Sequence, residues 1–232
     1  MNAMEGGLPG VRAGSDRAWF SRLDLHQEAD SGQRLVQVCN DGYQLHQLMW
    51  RLFSGDATAR RDFVFRAIEG ADLLACYLVS SRPPRDLDGV WRVQTKPYAP
   101  QLTVGERLIF SLRVNPVVTR KSGLDGKSRR HDVVMDAKKR QEGTGGEIQT
   151  AGAAWLKERA GRCGFQMDSV VVEGYRQHRL RQGGQGREIR FSTLDFEGLL
   201  TVTDPAALRR ALLQGIGPAK GFGCGLLLVR RP

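Results

Sequence analysis

The sequence predicts an α+β protein in which one short series of strands and a helix is run twice. Three observations predict it. Alternating or apolar runs with one amphipathic segment fill residues 17–98, a comparable set fills 103–232, and Pro97 and Pro100 break the chain between them. Each stretch, on the order of 100 residues, has the size of a small domain and the order of a βαββαβ unit. Hydrophobic residues make up 41% of the 232, enough for two cores and too many for a disordered basic chain. The expected fold is therefore two tandem ferredoxin-like (RRM-like, βαββαβ) domains behind a glycine-rich extension over residues 1–16.

The elements follow in order. Residues 18–25 alternate as a first strand. Residues 43–53 are helical, with Asp41 placed to cap them and Leu45, Leu48, Met49, Leu52 and Phe53 forming one stripe at i, i+3, i+4, i+7 and i+8. Residues 62–67 and 73–79 read as strands paired across a 69–72 turn, Pro83-Pro84 stops the chain, and 90–96 is a further short strand. The second half opens on a clear alternation, with Leu108, Phe110, Leu112 and Val114 on one face and Ile109, Ser111, Arg113 and Asn115 on the other. The polar stretch 120–146 reads as a long mobile loop. A helix over 148–162, strands over 170–181 and 188–202 joined by a Gln182–Gly186 tip, a helix from Asp204 to Gln214 and a last strand complete the chain. No repeat is visible letter by letter; only the pattern recurs.

Charge narrows the function classes. The formal net charge is +10, and it is concentrated. Residues 120–140 carry eight Lys or Arg against three Asp, and 176–190 carry five Arg against one Glu. Two like-signed clusters repel each other unless a polyanion relieves them, which favours nucleic acid as the partner. No apolar run is long enough to span a bilayer and neither cluster lies on an amphipathic helix, so a membrane is not expected. Four dispersed cysteines and four dispersed histidines assemble no zinc pattern and suit a reducing cytoplasm; no metal or cofactor is expected.

Two segments carry candidate chemistry. The first is the terminal run Gly215-Ile216-Gly217-Pro218-Ala219-Lys220-Gly221-Phe222-Gly223-Cys224-Gly225, with five glycines that let the backbone approach a ligand closely and one lysine to meet an anion. It follows a helix and precedes a strand, the reverse of a dinucleotide fingerprint. Its Lys-Gly-Phe-Gly match to an RNP signature lacks the elements that would have to follow. The second is the helix over 43–53. At 100° per residue Tyr43, His46 and Trp50 gather on a face roughly 130° from the apolar stripe, so a tyrosine and a histidine one turn apart are displayed together. His26, His131 and His178 have no such partner.

Taken together, these stretches resemble the CasE family of CRISPR-associated endoribonucleases. The resemblance rests on Tyr43-Gln44-Leu45-His46-Gln47-x-x-Trp50-x-Leu52-Phe53, on Arg61-Asp62-Phe63-Val64-Phe65, on Leu112-Arg113-x-Asn115-Pro116 and on the terminal glycine run. It runs in order from about Trp19 to the end and leaves out residues 1–16. It implies metal-independent cleavage of precursor CRISPR RNA at the 3′ base of each repeat's stem-loop, leaving 5′-hydroxyl and 2′,3′-cyclic phosphate ends. The family then stays on its product as a subunit of the Cascade complex, which would make the stem-loop RNA and the other Cascade subunits the partners here.

By the same resemblance His46 is the general acid or base and Tyr43 its helper, with the division of protons between them left open by the spacing. Gly217, Lys220, Gly221 and Gly223 would hold phosphates near the cut, while Arg176, Arg179 and Arg181 grip the stem. Arg113, Asn115, Arg120 and Lys121 are further expected RNA contacts, and Lys96, ahead of Arg51, is the candidate cation for the transition state. The competing expectation is an RNA-binding subunit of the same architecture without catalysis.

Overall fold

A computed structural model describes residues 17–26, 42–53, 61–69, 74–121, 128–140, 146–181 and 188–232. The extension over 1–16, Asp41, the 69–72 turn and the Gln182–Gly186 tip named above lie outside the described residues, apart from Glu69 at the end of a strand.

The first half contains β1 (Trp19–Leu25), α1 (Gly42–Arg51), β2 (Phe63–Glu69), β3 (Leu74–Ser80) and β4 (Trp91–Pro97). They form an antiparallel sheet in the order β2-β3-β1-β4. The expected stripe on α1 packs as drawn: Leu45, Leu48, Met49, Leu52 and Phe53 bury against Leu23, Leu25, Phe63, Phe65, Leu78 and Trp91 on one face of this sheet. Burying a leucine or phenylalanine side chain of this kind contributes about 1.5–3 kcal/mol, so the apolar face fixes which side of α1 stays open.

The second half contains β5 (Arg107–Val114), β6 (Val117–Lys121), β7 (Ser128–Asp132), α2 (Val133–Arg140), α3 (Glu147–Ala160), β8 (Phe165–Arg181), β9 (Glu188–Val202), α4 (Pro205–Gln214) and β10 (Leu227–Arg230). Its main sheet runs β10-β5-β9-β8. With the four strands of each main sheet numbered in chain order, both sheets run 4-1-3-2, the ferredoxin-like arrangement expected. Leu108, Phe110, Leu112 and Val114 all face the core with Trp155, Leu156, Phe196 and Leu208, as the alternation predicts. Asp204 caps α4, its carboxylate accepting from Ala206 N at 2.9 Å and Ala207 N at 3.0 Å.

Two expectations need correction. The first half has no second helix among the described residues; residues 81–90 run irregularly between β3 and β4. Pro83 and Pro84 supply no N–H donors and bias the preceding residue away from helix. The segment is tied down instead by Arg85 N donating to Leu52 O at 2.9 Å and Trp91 N to Asp86 Oδ2 at 2.8 Å. The basic stretch 120–146 is not simply a loop either: its described parts are the β6–β7 hairpin and α2. Asp132 starts that helix, accepting from Val134 N at 2.8 Å and Met135 N at 3.1 Å, and Val134 is fully buried in the second core.

The two sheets meet face to face. Val64, Val79 and Leu226 are buried between them, with Phe20, Tyr77, Tyr98, Leu213 and Leu228 around the edge. Beside this apolar patch Arg113 forks onto Asp195 at 2.8 and 3.0 Å, while Arg66 reaches Asp195 at 3.7 Å and donates to Ser111 Oγ at 2.7 Å. No helix of the described chain is long and apolar enough to cross a membrane.

Candidate active site

The seam brings the two motifs together. Open on its polar side, α1 presents His46 between Tyr43 and Trp50, with ring centroids 6.4 and 6.3 Å away. Opposite it sits the glycine run, where Lys220–Phe222 form a single 3₁₀ turn. His46 Nδ1 lies 2.9 Å from Gly221 O. A carbonyl oxygen only accepts, so Nδ1 carries the hydrogen and Nε2 of the neutral ring keeps its lone pair. Residues 175 positions apart thereby fix one tautomer.

Space at 221 is tight. A Cβ there would lie 3.1 Å from His46 Cε1 and Nδ1 and 3.2 Å from Arg61 Nη1. Ala219, at φ 57°, is the turn's non-glycine residue with positive φ, a conformation that costs about 1–2 kcal/mol and is sustained here by the bonds around it. Among these, Gly225 N donates to Arg113 O at 2.6 Å and Ile216 N to Gly225 O at 2.8 Å, tying the loop to β5.

The electrostatics favour a neutral histidine and an anionic ligand. Burial holds the His46 imidazole below its ordinary value of 6.5, the Arg61 charge lowers it further, and the Gly221 hydrogen bond opposes both. Burial lowers the Lys220 ammonium too, with Arg61 again contributing. Neither Arg61 nor Lys220 forms an ion pair among the described residues, and neighbouring Asp62 is occupied by Arg82 at 2.7 and 3.1 Å. Together with Arg17 and Gln214 they line a cleft of about 380 Å³. Arg17, Arg61 and Lys220 at one cleft, with the lining acid Asp62 already held by Arg82, suit a phosphate.

A run of rings leads away from His46. Phe222 lies against it at 5.6 Å, Phe191 stacks on Phe222 at 5.2 Å, and His178 stacks on Phe191 at 4.8 Å. The β8–β9 ribbon thus reaches the catalytic candidate through aromatic contacts.

The remaining site candidates are spread out. Lys96 pairs in register with Phe20 and sits over its ring at 6.0 Å, on the face of the first sheet away from α1; it is not brought to His46. Arg51 pairs with Asp88 at 3.4 Å on the surface. Arg113 is held by Asp195 in the seam, and Arg176 borders a separate cleft with Arg66 and Arg113. Asn115 and Arg179 share a cleft beside the β8–β9 ribbon. Arg120 pairs with Asp136 at 2.7 Å and Lys121 ends β6, exposed; the Arg181 side chain lies outside the described residues. Gly217 faces the Trp155 indole, where a Cβ would meet it at 3.3 Å, and Gly223, at φ 79°, backs onto Phe65.

Sequence reasoning missed Arg61, Phe222 and Phe191 as parts of the site. Arg61 and Phe222 stand inside motifs already singled out, but nothing in their spacing points to His46. Among the described residues no group of three or more His, Cys, Asp or Glu is placed to hold a metal ion.

A double ferredoxin-like protein with a histidine, a tyrosine and two cations at its seam has the parts of a nucleic-acid-processing site. Comparison with known proteins agrees. The profile of the family described as "CRISPR associated protein" matches residues 18–231. The chain is 34% identical over 197 residues to the CRISPR system Cascade subunit CasE of Escherichia coli, covering 81% of this chain and 90% of that one. It is 29% identical over 230 residues to the CRISPR-associated endoribonuclease Cse3 of Thermus thermophilus, covering 91% and 99%. The crystal structure of the CRISPR-associated protein Cas6e from E. coli superposes with a TM-score of 0.66 at 28% identity, over 92% of this chain and all of that one. The chain belongs to the CasE family of CRISPR-associated proteins.

Proposed function

We propose that this protein is a metal-independent endoribonuclease that cuts precursor CRISPR RNA at the 3′ base of the repeat stem-loop and stays on its product as a Cascade subunit. The observation that carries the reading is the hydrogen bond from His46 Nδ1 to Gly221 O beside Arg61. It leaves an unprotonated Nε2 on a ring beside the Arg61 guanidinium, an arrangement suited to taking a proton from a ribose 2′-hydroxyl. The 2′-oxygen then attacks the adjacent phosphorus, the P–O5′ bond breaks, and the products are a 2′,3′-cyclic phosphate and a 5′-hydroxyl. Tyr43, one turn before His46, supplies the proton to O5′. Arg61 and Lys220 offset the charge that builds on the phosphorane.

The relatives named as an endoribonuclease and as a Cascade subunit support the substrate and the assembly. Around the seam, the glycine run and Lys220 would hold backbone phosphates while the β8–β9 ribbon, with Arg176, Arg179 and Arg181, meets the stem. A-form RNA hides its major groove, so shape and phosphates carry most of that recognition.

The test is His46→Ala on the matching repeat RNA. Cleavage should fall by at least about 100-fold, as loss of a general base does, while the RNA dissociation constant changes less than about threefold. Retained cleavage overturns the role of His46. Tight binding without cleavage by the unaltered protein would leave a non-catalytic RNA-binding subunit.

A further inference from the structure

A cleft of about 390 Å³ lies between the β8–β9 ribbon and the β6–β7 hairpin with α2, lined by Asn115, Arg130, Met135, His178, Arg179 and Phe191 among others. It is distinct from the cationic cleft of Arg61 and Lys220. Asn115, just past the end of β5, is 8% exposed, and its Oδ1 has no hydrogen-bond partner among the described residues. Its backbone is fixed, since Val117 N donates to Asn115 O at 3.0 Å and Val133 N to Pro116 O at 2.9 Å. A buried carbonyl held in place without a donor carries its full desolvation cost unless a ligand supplies one.

The other walls say what the ligand is. His178 and Phe191, stacked on each other, give an aromatic surface, and Met135 is exposed on the α2 side. His178 is held by Nε2 at 2.9 Å from Thr193 Oγ1. Arg130 and Arg179 have no acidic partner among the described residues, whereas Arg190 is bound to Glu188 at 2.6 Å. Asp132, also in the cleft, is fully used: it caps α2 and accepts from Tyr175 Oη at 3.0 Å. Aromatic surface, two available guanidinium groups and the buried Asn115 acceptor, with Ser192 Oγ a second buried oxygen without a partner among the described residues, are the recognition set for an unpaired nucleobase with its phosphate. The cleft has room for one base and not for a duplex. Phe191 belongs to it and also stacks on Phe222, which touches His46.

We propose that this cleft takes one unpaired base of the RNA beside the cleavage position, with its exocyclic amino group donating to Asn115 Oδ1 and its phosphate held by Arg130 and Arg179. The inference rests on the ribonuclease reading above and adds base selection to it. Adenine, cytosine and guanine carry the required amine; uracil does not and is rejected.

The experiment uses the full chain carrying His46→Ala and the matching repeat RNA, with each unpaired nucleotide made abasic in turn. At one position the abasic RNA should bind about tenfold more weakly, and removing only that base's amino group should lose most of the same factor. Adding Asn115→Ala should shrink both losses to under about twofold, while the thermal midpoint stays level or rises because the deleted carbonyl had no partner. Arg179→Ala, an exposed position, should flatten the salt dependence by about one unit and keep the amino preference. No sensitive position, a loss indifferent to Asn115→Ala, or a midpoint several degrees lower overturns the cleft. Failure of the unaltered protein to bind or cut the RNA overturns the ribonuclease reading itself, and the cleft with it.

Discussion

At the scale of single residues, the proposed chemistry depends on how closely His46, Gly221 and Arg61 approach one another. A methyl group at 221 would stand 3.1 Å from the imidazole and push it by a few tenths of an ångström. Gly221→Ala should therefore slow cleavage by about tenfold or more while RNA binding barely changes, which single-turnover rates alongside binding measurements would separate. The pH dependence has a definite sign. Burial and the Arg61 charge disfavour the imidazolium, so the base form persists below the ordinary histidine value of 6.5. The rising limb of the rate should have its midpoint below that value. Removing the positive charge with Arg61→Ala should move the midpoint upward, and a downward or absent shift would exclude Arg61 as the neighbouring cation.

Elements show what was legible and what was not. The stripe on α1 and the glycine run were readable because a helix repeats every few residues and a loop needs local permission for its backbone. The missing second helix of the first half was signalled by Pro83-Pro84. Contacts between residues far apart in the chain were not legible. Arg113 meets Asp195 across a strand pairing set by the register of β5 and β9, and His46 meets Gly221 only because the two halves pack together. Spacing along the chain carries no information on either. The helix α2 escaped for a different reason: its short apolar face, chiefly Val134, is diluted by lysines and arginines. One consequence concerns stability. Asp195 holds both Arg66 and Arg113 with its side chain 17% exposed. Asp195→Ala would leave two enclosed guanidinium groups facing each other and should destabilise the fold by about 3 kcal/mol, measured by urea unfolding. An unchanged midpoint would mean that water already relieves the pair.

For the whole molecule, the +10 charge and the two-sheet seam play separate parts. The charge attracts RNA of any sequence, and its contribution should decline steeply with salt. In the proposed function the chemistry falls to the seam. Lys220→Ala should weaken binding to all RNAs alike and lower the salt slope by about one, since a phosphate contact carries no base information; a slope that stays the same would refute that contact. The central claim, attack by the RNA's own 2′-hydroxyl with protein groups alone as catalysts, is tested most directly by cleavage in EDTA of the matching repeat RNA beside a copy carrying one 2′-deoxy sugar at the cut. The first should be cut to a cyclic phosphate and the second should survive. Cleavage of the deoxy copy, or loss of all cleavage in EDTA, would contradict it.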